Sequence, residues 1–169
     1  MSIQAVDYLH TQKNLHNILW VYNTGGDFKT KEEFLERYPG DDVVDMVSFD
    51  TYQSGDPKKS EGFIKNTNSR LNMVGQIAAE KSKLFALAET GFEAVPNGKW
   101  WTETLLKAIG ENRISYVLVW RNHGYQESTK RMHYYAPFKG QLSANDFVEF
   151  YKLSSTLFEK DVNNEKLYR

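Results

Sequence analysis

Cysteine is absent from the 169 residues. Disulfides, thiolate metal sites and cysteine nucleophiles are therefore excluded. An excess of either charge is missing too: 21 Lys and Arg stand against 22 Asp and Glu, a formal net charge of -1. No basic field is available to hold nucleic acid or an anionic membrane. The densest basic spot, Lys130-Arg131 beside Met132 and His133, reads as a solvated loop. No run approaches the roughly 18 apolar residues of a membrane span. The opening MSIQAVDYLHTQKN lacks the continuous apolar core and small-residue cleavage site of a secretory leader, so the chain reads as soluble with no targeting label. TGGD at 24–27 has neither the spacing nor the lysine of a phosphate loop. His10 and His16 fall in or near a leading helix, and His123 and His133 share one loop without metal-ligand spacing. No metal and no cofactor is expected.

What remains is ordinary globular composition, 40% hydrophobic and 25% charged. Four short apolar runs carry little strict alternation: Ile18–Tyr22, Val43–Tyr52, Leu84–Ala88 and Ile114–Trp120. That pattern suits strands covered on both faces, as in a parallel sheet. A helix-period segment follows each run. Thr30 and Glu33 form a capping box ahead of Phe34 and Leu35. Ser60 is expected to cap a helix carrying Ile64, Leu71, Val74, Ile77 and Ala78, and Asn97 one carrying Trp100, Trp101, Leu105, Ala108 and Ile109, stopped by Gly110. Ser143 and Asp146 open a fourth, with an apolar side running from Phe147 through Phe150, Tyr151 and Leu153 to Leu157 and Phe158. A short helix over Ser2–Thr11 precedes the first strand. Residues 121–142 form a long connection, a frequent place for function. The sequence predicts one α/β domain with four parallel strand–helix units and right-handed crossovers.

In parallel α/β sheets the chemistry gathers at the carboxyl ends of the strands. The first strand offers Tyr22-Asn23 there, the second Asp50 and Tyr52, the third Glu89, the fourth Trp120-Arg121-Asn122-His123. Asp50 could instead satisfy turn amides. Tyr52 and Trp120 could be core aromatics. Arg121 could pair with Asp50 or Glu89 as a structural ion pair. Glu89 follows LFALA directly, and a carboxylate buried there is costly without a partner or a task. An aromatic face beside acids and an arginine is a sugar-binding combination, since the ring packs on C–H surfaces while polar groups hold hydroxyls.

ILWVYNTGGDF, YPGDDVVDMVSFDTYQ, ALAETGFEAVP and YVLVWRNH, in that order, resemble glycoside hydrolase family 26, the β-mannanase family, from about Leu15 to Phe158. The resemblance implies the carboxyl-terminal half of a (β/α)8 barrel, family strands five to eight, with 1–169 as one partial catalytic domain. It implies retaining hydrolysis of β-1,4-mannan and an extracytoplasmic location for the intact family member. Carried over, Glu89 is the nucleophile and Tyr52 the tyrosine that orients it. Asp50 supports the site, Trp120 is the aromatic floor of a sugar subsite, and Arg121 with Asn122 supplies polar contacts to substrate. The family's general acid/base is a Glu on the fourth strand, preceded by a His, and no such motif occurs here. Of the other acids near strand ends or loops, Asp41 and Asp42 precede their strand, and nothing matches Asp27, Asp56 or Glu93 to that acid. A fragment that at most binds mannan is the alternative. Four units present two unpaired sheet edges, so self-association or union with an amino-terminal half is expected.

Overall fold

The second of these strands sets the register for the whole sheet. In the computed structural model, which describes residues 3–164, β1 (Val21–Gly25), β2 (Met46–Gln53), β3 (Leu84–Phe92) and β4 (Val117–Val119) form one sheet in the order β1-β2-β3-β4. All three pairings are parallel. β1 begins at Val21 rather than Ile18 because its partner β2 begins at Met46, opposite Val21. The preceding Trp20 instead anchors the entry to β2, giving its N–H to the Asp45 carboxylate at 2.7 Å. β3 runs on to Phe92, so Glu89 lies inside a strand and not at its end.

Alternation along the strands separates two faces. Val47, Phe49 and Leu87 are fully buried among Leu71, Val74 and Ile77 of α3 (Glu61–Lys81) and the indoles of Trp100 and Trp101. On the other side Leu84, Tyr116 and Leu118 remain 54%, 39% and 44% exposed. Such residues fill the interior of a closed barrel. A four-stranded parallel sheet with helices against one side and half-covered apolar residues on the other is half of that architecture.

The local start signals hold where their partners are local. Thr30 caps α2 (Lys31–Leu35), its hydroxyl accepting the Glu33 N–H at 3.2 Å. Ser60 precedes α3 without a side-chain cap: its backbone is already helical, φ -89 and ψ -13, and its hydroxyl accepts from Gln53 Nε2 at the end of β2 at 3.1 Å. α3 stops at Ser82, which adopts φ 54 while its N–H and that of Lys83 return to the Ala78–Ala79 carbonyls. The third helical segment opens as a wide π-type turn over Trp100–Leu105 before α4 (Leu106–Ile109). Asn97 receives the Lys99 N–H at 2.9 Å, one step too early to cap it.

The effective cap comes from α5 (Ala144–Tyr151). Asp146, 2% exposed, accepts from the Trp101 and Thr102 N–H groups at 2.9 and 3.2 Å and from the Thr102 hydroxyl at 2.6 Å. Asp146→Ala strands these donors in the core. It is expected to lower stability by about 3 kcal/mol in urea unfolding, against a few tenths for Glu149→Ala on the exposed side of the same helix.

The fourth helix ends at Tyr151, short of the expected Phe158. Leu157 is 69% exposed, and the chain re-enters a helix only at α6 (Glu159–Asn164). Phe158 still packs on Phe147 and Phe150, at 5.9 and 6.4 Å. At the other end α1 spans Ile3–Asp7 and continues as a wide turn over Tyr8–Gln12, the expected start at Ser2 lying outside the described residues. Within the long connection, β5 (Gly124–Gln126) and β6 (Arg131–His133) pair as an antiparallel hairpin.

Candidate active site

Parallel pairing brings the polar residues of neighbouring strands to one level. Gly25 stands opposite Asp50, and Asp50 opposite Glu89 across an irregularity in the β2–β3 ladder. Two residues on, Tyr52 points back across the same gap. Its hydroxyl donates to Glu89 Oε2 at 2.7 Å, a charge-assisted hydrogen bond that fixes one carboxylate oxygen and leaves Oε1 for other work. Tyr52 is 37% exposed and so is not a core aromatic. Burial is the largest influence on its phenol, followed by the bond to Glu89 and the charges of Glu89 and Asp50. All of them push its pKa well above the ordinary tyrosine value, so the group stays a donor throughout the neutral range. Tyr116, beside β4, is raised by burial and by the same two carboxylates.

Asp50 is held on one side only. Asn23 Nδ2 donates to Asp50 Oδ2 at 2.8 Å, and Asn23 Oδ1 in turn accepts from the Ser48 hydroxyl at 2.8 Å. Asp50 Oδ1 is buried with no partner. Burial raises the pKa of this carboxyl, the Asn23 bond opposes the shift, and the negative charge of Glu89 adds to it. A carboxyl raised on folding binds its proton more tightly in the native state, so stability falls as pH climbs from the ordinary aspartate range through the native value. Asp50→Asn is therefore expected to raise Tm at pH 7 and to lose that advantage below the ordinary carboxylate range. Equal melting temperatures for the two proteins at pH 7 would contradict this.

Trp120 follows β4 directly and is half-buried, its N–H bound to the Thr90 carbonyl at 3.0 Å beside Glu89. The Arg121 guanidinium lies 6.0 Å from the Trp120 ring and contacts His123 Nδ1 at 2.6 Å. Among the described residues no ion pair joins Arg121 to Asp50 or Glu89. It stands exposed. Asn122 has a different engagement. Its Oδ1 accepts from the Tyr135 and Ala136 N–H groups, both at 2.9 Å, and its Nδ2 donates to the Ala136 carbonyl at 3.0 Å. That side chain brackets the connection after β4.

Of the remaining acids, Glu93, Asp41 and Asp56 are engaged elsewhere and Asp27 stands in an adjoining hollow. Glu93 pairs with Arg131 at 3.0 Å. Asp41 pairs with Lys81 at the far end of α3, which sets it at the amino end of the strands. Asp56 accepts the Lys58 N–H within its own turn. Asp27 lines a cavity of about 540 Å³ with Lys59, Asn66, Thr67 and Arg70, beside α3; this hollow touches Asp50 and Tyr52 but neither Glu89 nor Trp120. Among the described residues no group of three or more His, Cys, Asp or Glu is arranged to hold a metal, and no helix is long and apolar enough to cross a membrane. Asn23, offered by the first strand, holds Asp50. Tyr135 and Gly91, to which the sequence drew no attention, lie respectively against the Tyr52 ring and opposite Tyr52 in the β2–β3 ladder.

Glu89 bonded to Tyr52, with Trp120 and Arg121 on the adjoining segment, sits toward the carboxyl side of a four-stranded parallel sheet, the side on which (β/α)8 barrels carry their chemistry. The Glycosyl hydrolase family 26 profile matches residues 3–141, and the chain belongs to that family. It is 32% identical over 159 residues to a mannan endo-1,4-beta-mannosidase of Bifidobacterium adolescentis, covering 86% of this chain and 16% of that protein. A GH26 beta-mannanase structure from Bacteroides ovatus superposes with a TM-score of 0.81 at 42% identity, over 92% of this chain and 43% of that one. The catalytic domain of the Bacillus sp. JAMB-750 GH26 endo-beta-1,4-mannanase gives 0.82 at 29% identity, over 98% and 46%. The chain thus spans less than half the length of these relatives, and its fold is half of their barrel.

Proposed function

We propose that this chain is the nucleophile-bearing half of a retaining β-mannanase. The Tyr52–Glu89 hydrogen bond of 2.7 Å carries the reading. A retaining glycosidase needs one carboxylate held ionised and aimed at the anomeric carbon, and a neutral phenol donor does both. In the first step one Glu89 oxygen attacks C1 as the glycosidic bond breaks. A general acid gives its proton to the departing oxygen, leaving a mannosyl ester on Glu89. Water, deprotonated by the same group, then attacks C1 and frees the carboxylate. Trp120 supplies the flat apolar floor for the sugar ring and Arg121 a donor at the rim. Asp50 holds the site's shape from the neighbouring strand, while Asn122 fixes the loop that follows Arg121.

The second carboxylate is to be sought outside these four units. The strands correspond to family strands five to eight, whereas the family places its acid/base on the fourth. The exposed Leu84, Tyr116 and Leu118 and the outer edges of β1 and β4 suit union with an amino-terminal half. A two-fold pair of identical chains would heal the sheet but set Trp120-Arg121 in the slot of the missing acid. Extracytoplasmic action on polysaccharide fits this reading. The specificity is tested by reducing-sugar release from linear β-1,4-mannan and from β-1,4-glucan by the assembled barrel. Release from mannan in clear excess is expected; preference for the glucan would overturn the assignment.

A further inference from the structure

We propose that Tyr135, in the connection after β4, is a positioning residue that braces Tyr52 and through it aims the Glu89 carboxylate. This rests on the glycosidase reading for the role of Glu89. The Tyr135 and Tyr52 rings meet edge to face, with centroids 5.6 Å apart at 65°. Tyr52 is 37% exposed, and its hydroxyl donates to Glu89 Oε2 at 2.7 Å. A tyrosine held at its tip alone keeps rotamer freedom, and each alternative rotamer breaks that bond. The Tyr135 ring removes the freedom from the side.

The brace is itself fixed. Asn122 Oδ1 holds the Tyr135 N–H at 2.9 Å, and the Ala94 N–H reaches the Tyr134 carbonyl at 2.8 Å. The His133 ring packs edge to face on Tyr135 at 5.3 Å. The Arg131–Glu93 pair ties the hairpin to the end of β3. On the β3 side stands Gly91, two residues beyond Glu89. A Cβ there would come within 2.4 Å of Tyr135 Cδ1, so the ring fills the space a side chain at 91 would need. Glycine at 91, tyrosine at 135 and asparagine at 122 form one device, assembled from segments more than ten residues apart.

Two variants attack the brace from opposite sides: Tyr135→Ala removes the ring and Gly91→Ala displaces it. Tyr135→Phe keeps the ring and serves as the conservative control. The first readout is NMR of the 169-residue chain with 13C-labelled tyrosine. Wild type and Tyr135→Phe should show contacts between the rings at 52 and 135 and a Tyr52 phenol titrating above the ordinary range. Both alanine variants, native by circular dichroism, should lose the contact or shift it and titrate lower. The second readout, made on the barrel assembled with an amino-terminal half, is capture of Glu89 by 2-deoxy-2-fluoro-mannosyl fluoride. There the carboxylate oxygen bonds C1 as fluoride leaves with the electron pair of the C–F bond, and no proton donor is needed. Capture should slow about ten- to a hundredfold in both alanine variants and stay near wild type in Tyr135→Phe. An unchanged Tyr52 signature in Tyr135→Ala and Gly91→Ala would overturn the brace, as would a Phe variant as impaired as Ala. If wild type itself is not captured, the nucleophile reading falls, while the Tyr52 signature still decides the brace.

Discussion

The purified 169-residue chain is expected to release no detectable reducing sugar from β-1,4-mannan, and release is expected once an amino-terminal half-barrel is added. The alkoxide of a sugar is a poor leaving group, and a positioned acid typically contributes about 10²–10⁴ to the rate. The carboxylates placed near the site offer no substitute. Glu93 is tied to Arg131, Asp41 lies at the amino end of the strands, and Asp50 is held by Asn23 on the same sheet face as Glu89. The absent half would also provide the remaining wall of the sugar site, which multiplies the loss. Its addition should cover Leu84, Tyr116 and Leu118, so binding and turnover should rise together in a titration. Robust turnover by the chain alone, lost in Glu89→Ala, would mean that a second acid lies within these residues.

In the assembled barrel, Glu89→Ala and Glu89→Gln are each expected to lower kcat by about ten-thousandfold or more. That corresponds to about 5.5 kcal/mol of transition-state stabilisation. Gln retains an oxygen that can accept the Tyr52 hydroxyl, so its fold and substrate affinity should be preserved while the nucleophile is lost. Tyr52→Phe removes the aim but leaves the carboxylate, and its loss should be smaller, about a hundredfold. The two effects share one pathway and should not add: Tyr52→Phe on a Glu89→Gln background should cost little more. Stopped-time assays at saturating substrate check these values.

The difference in scale between those two residues also explains what could be read before the fold was known. Glu89 drew attention because a carboxylate abutting LFALA is costly in a covered strand without a partner. The structure leaves it part-buried and supplies the Tyr52 hydroxyl as that partner. Thr30 was legible because its capping partner Glu33 lies three residues away. Ser60 was misjudged because its backbone is itself helical and its hydroxyl turns to Gln53 on another element. The start of β1 was set by where β2 begins, a fact of pairing that no local window contains. The true cap of the third helical segment, Asp146, lies 45 residues from Trp101 in sequence. Tyr135 escaped notice for the same reason: in HYYAP it is one aromatic in a long loop, and only folding sets it over Gly91 and beside Tyr52. Counting succeeded for the four parallel strands, since the number of apolar runs survives shifts of several residues at their ends. It missed the β5–β6 hairpin, whose short strands GYQ and RMH carry no apolar run.

Mass spectrometry of the assembled barrel after incubation with a 2-deoxy-2-fluoro-mannosyl fluoride tests the nucleophile most directly. The fluorine at C2 destabilises the oxocarbenium-like transition state of both steps, while the fluoride leaving group speeds the first and lets the covalent species accumulate. One fluoromannosyl unit is expected on the peptide containing Glu89, on no other residue, and on no peptide of Glu89→Gln. A label on any other carboxylate, or undiminished labelling of the Gln variant, would contradict Glu89 as the nucleophile.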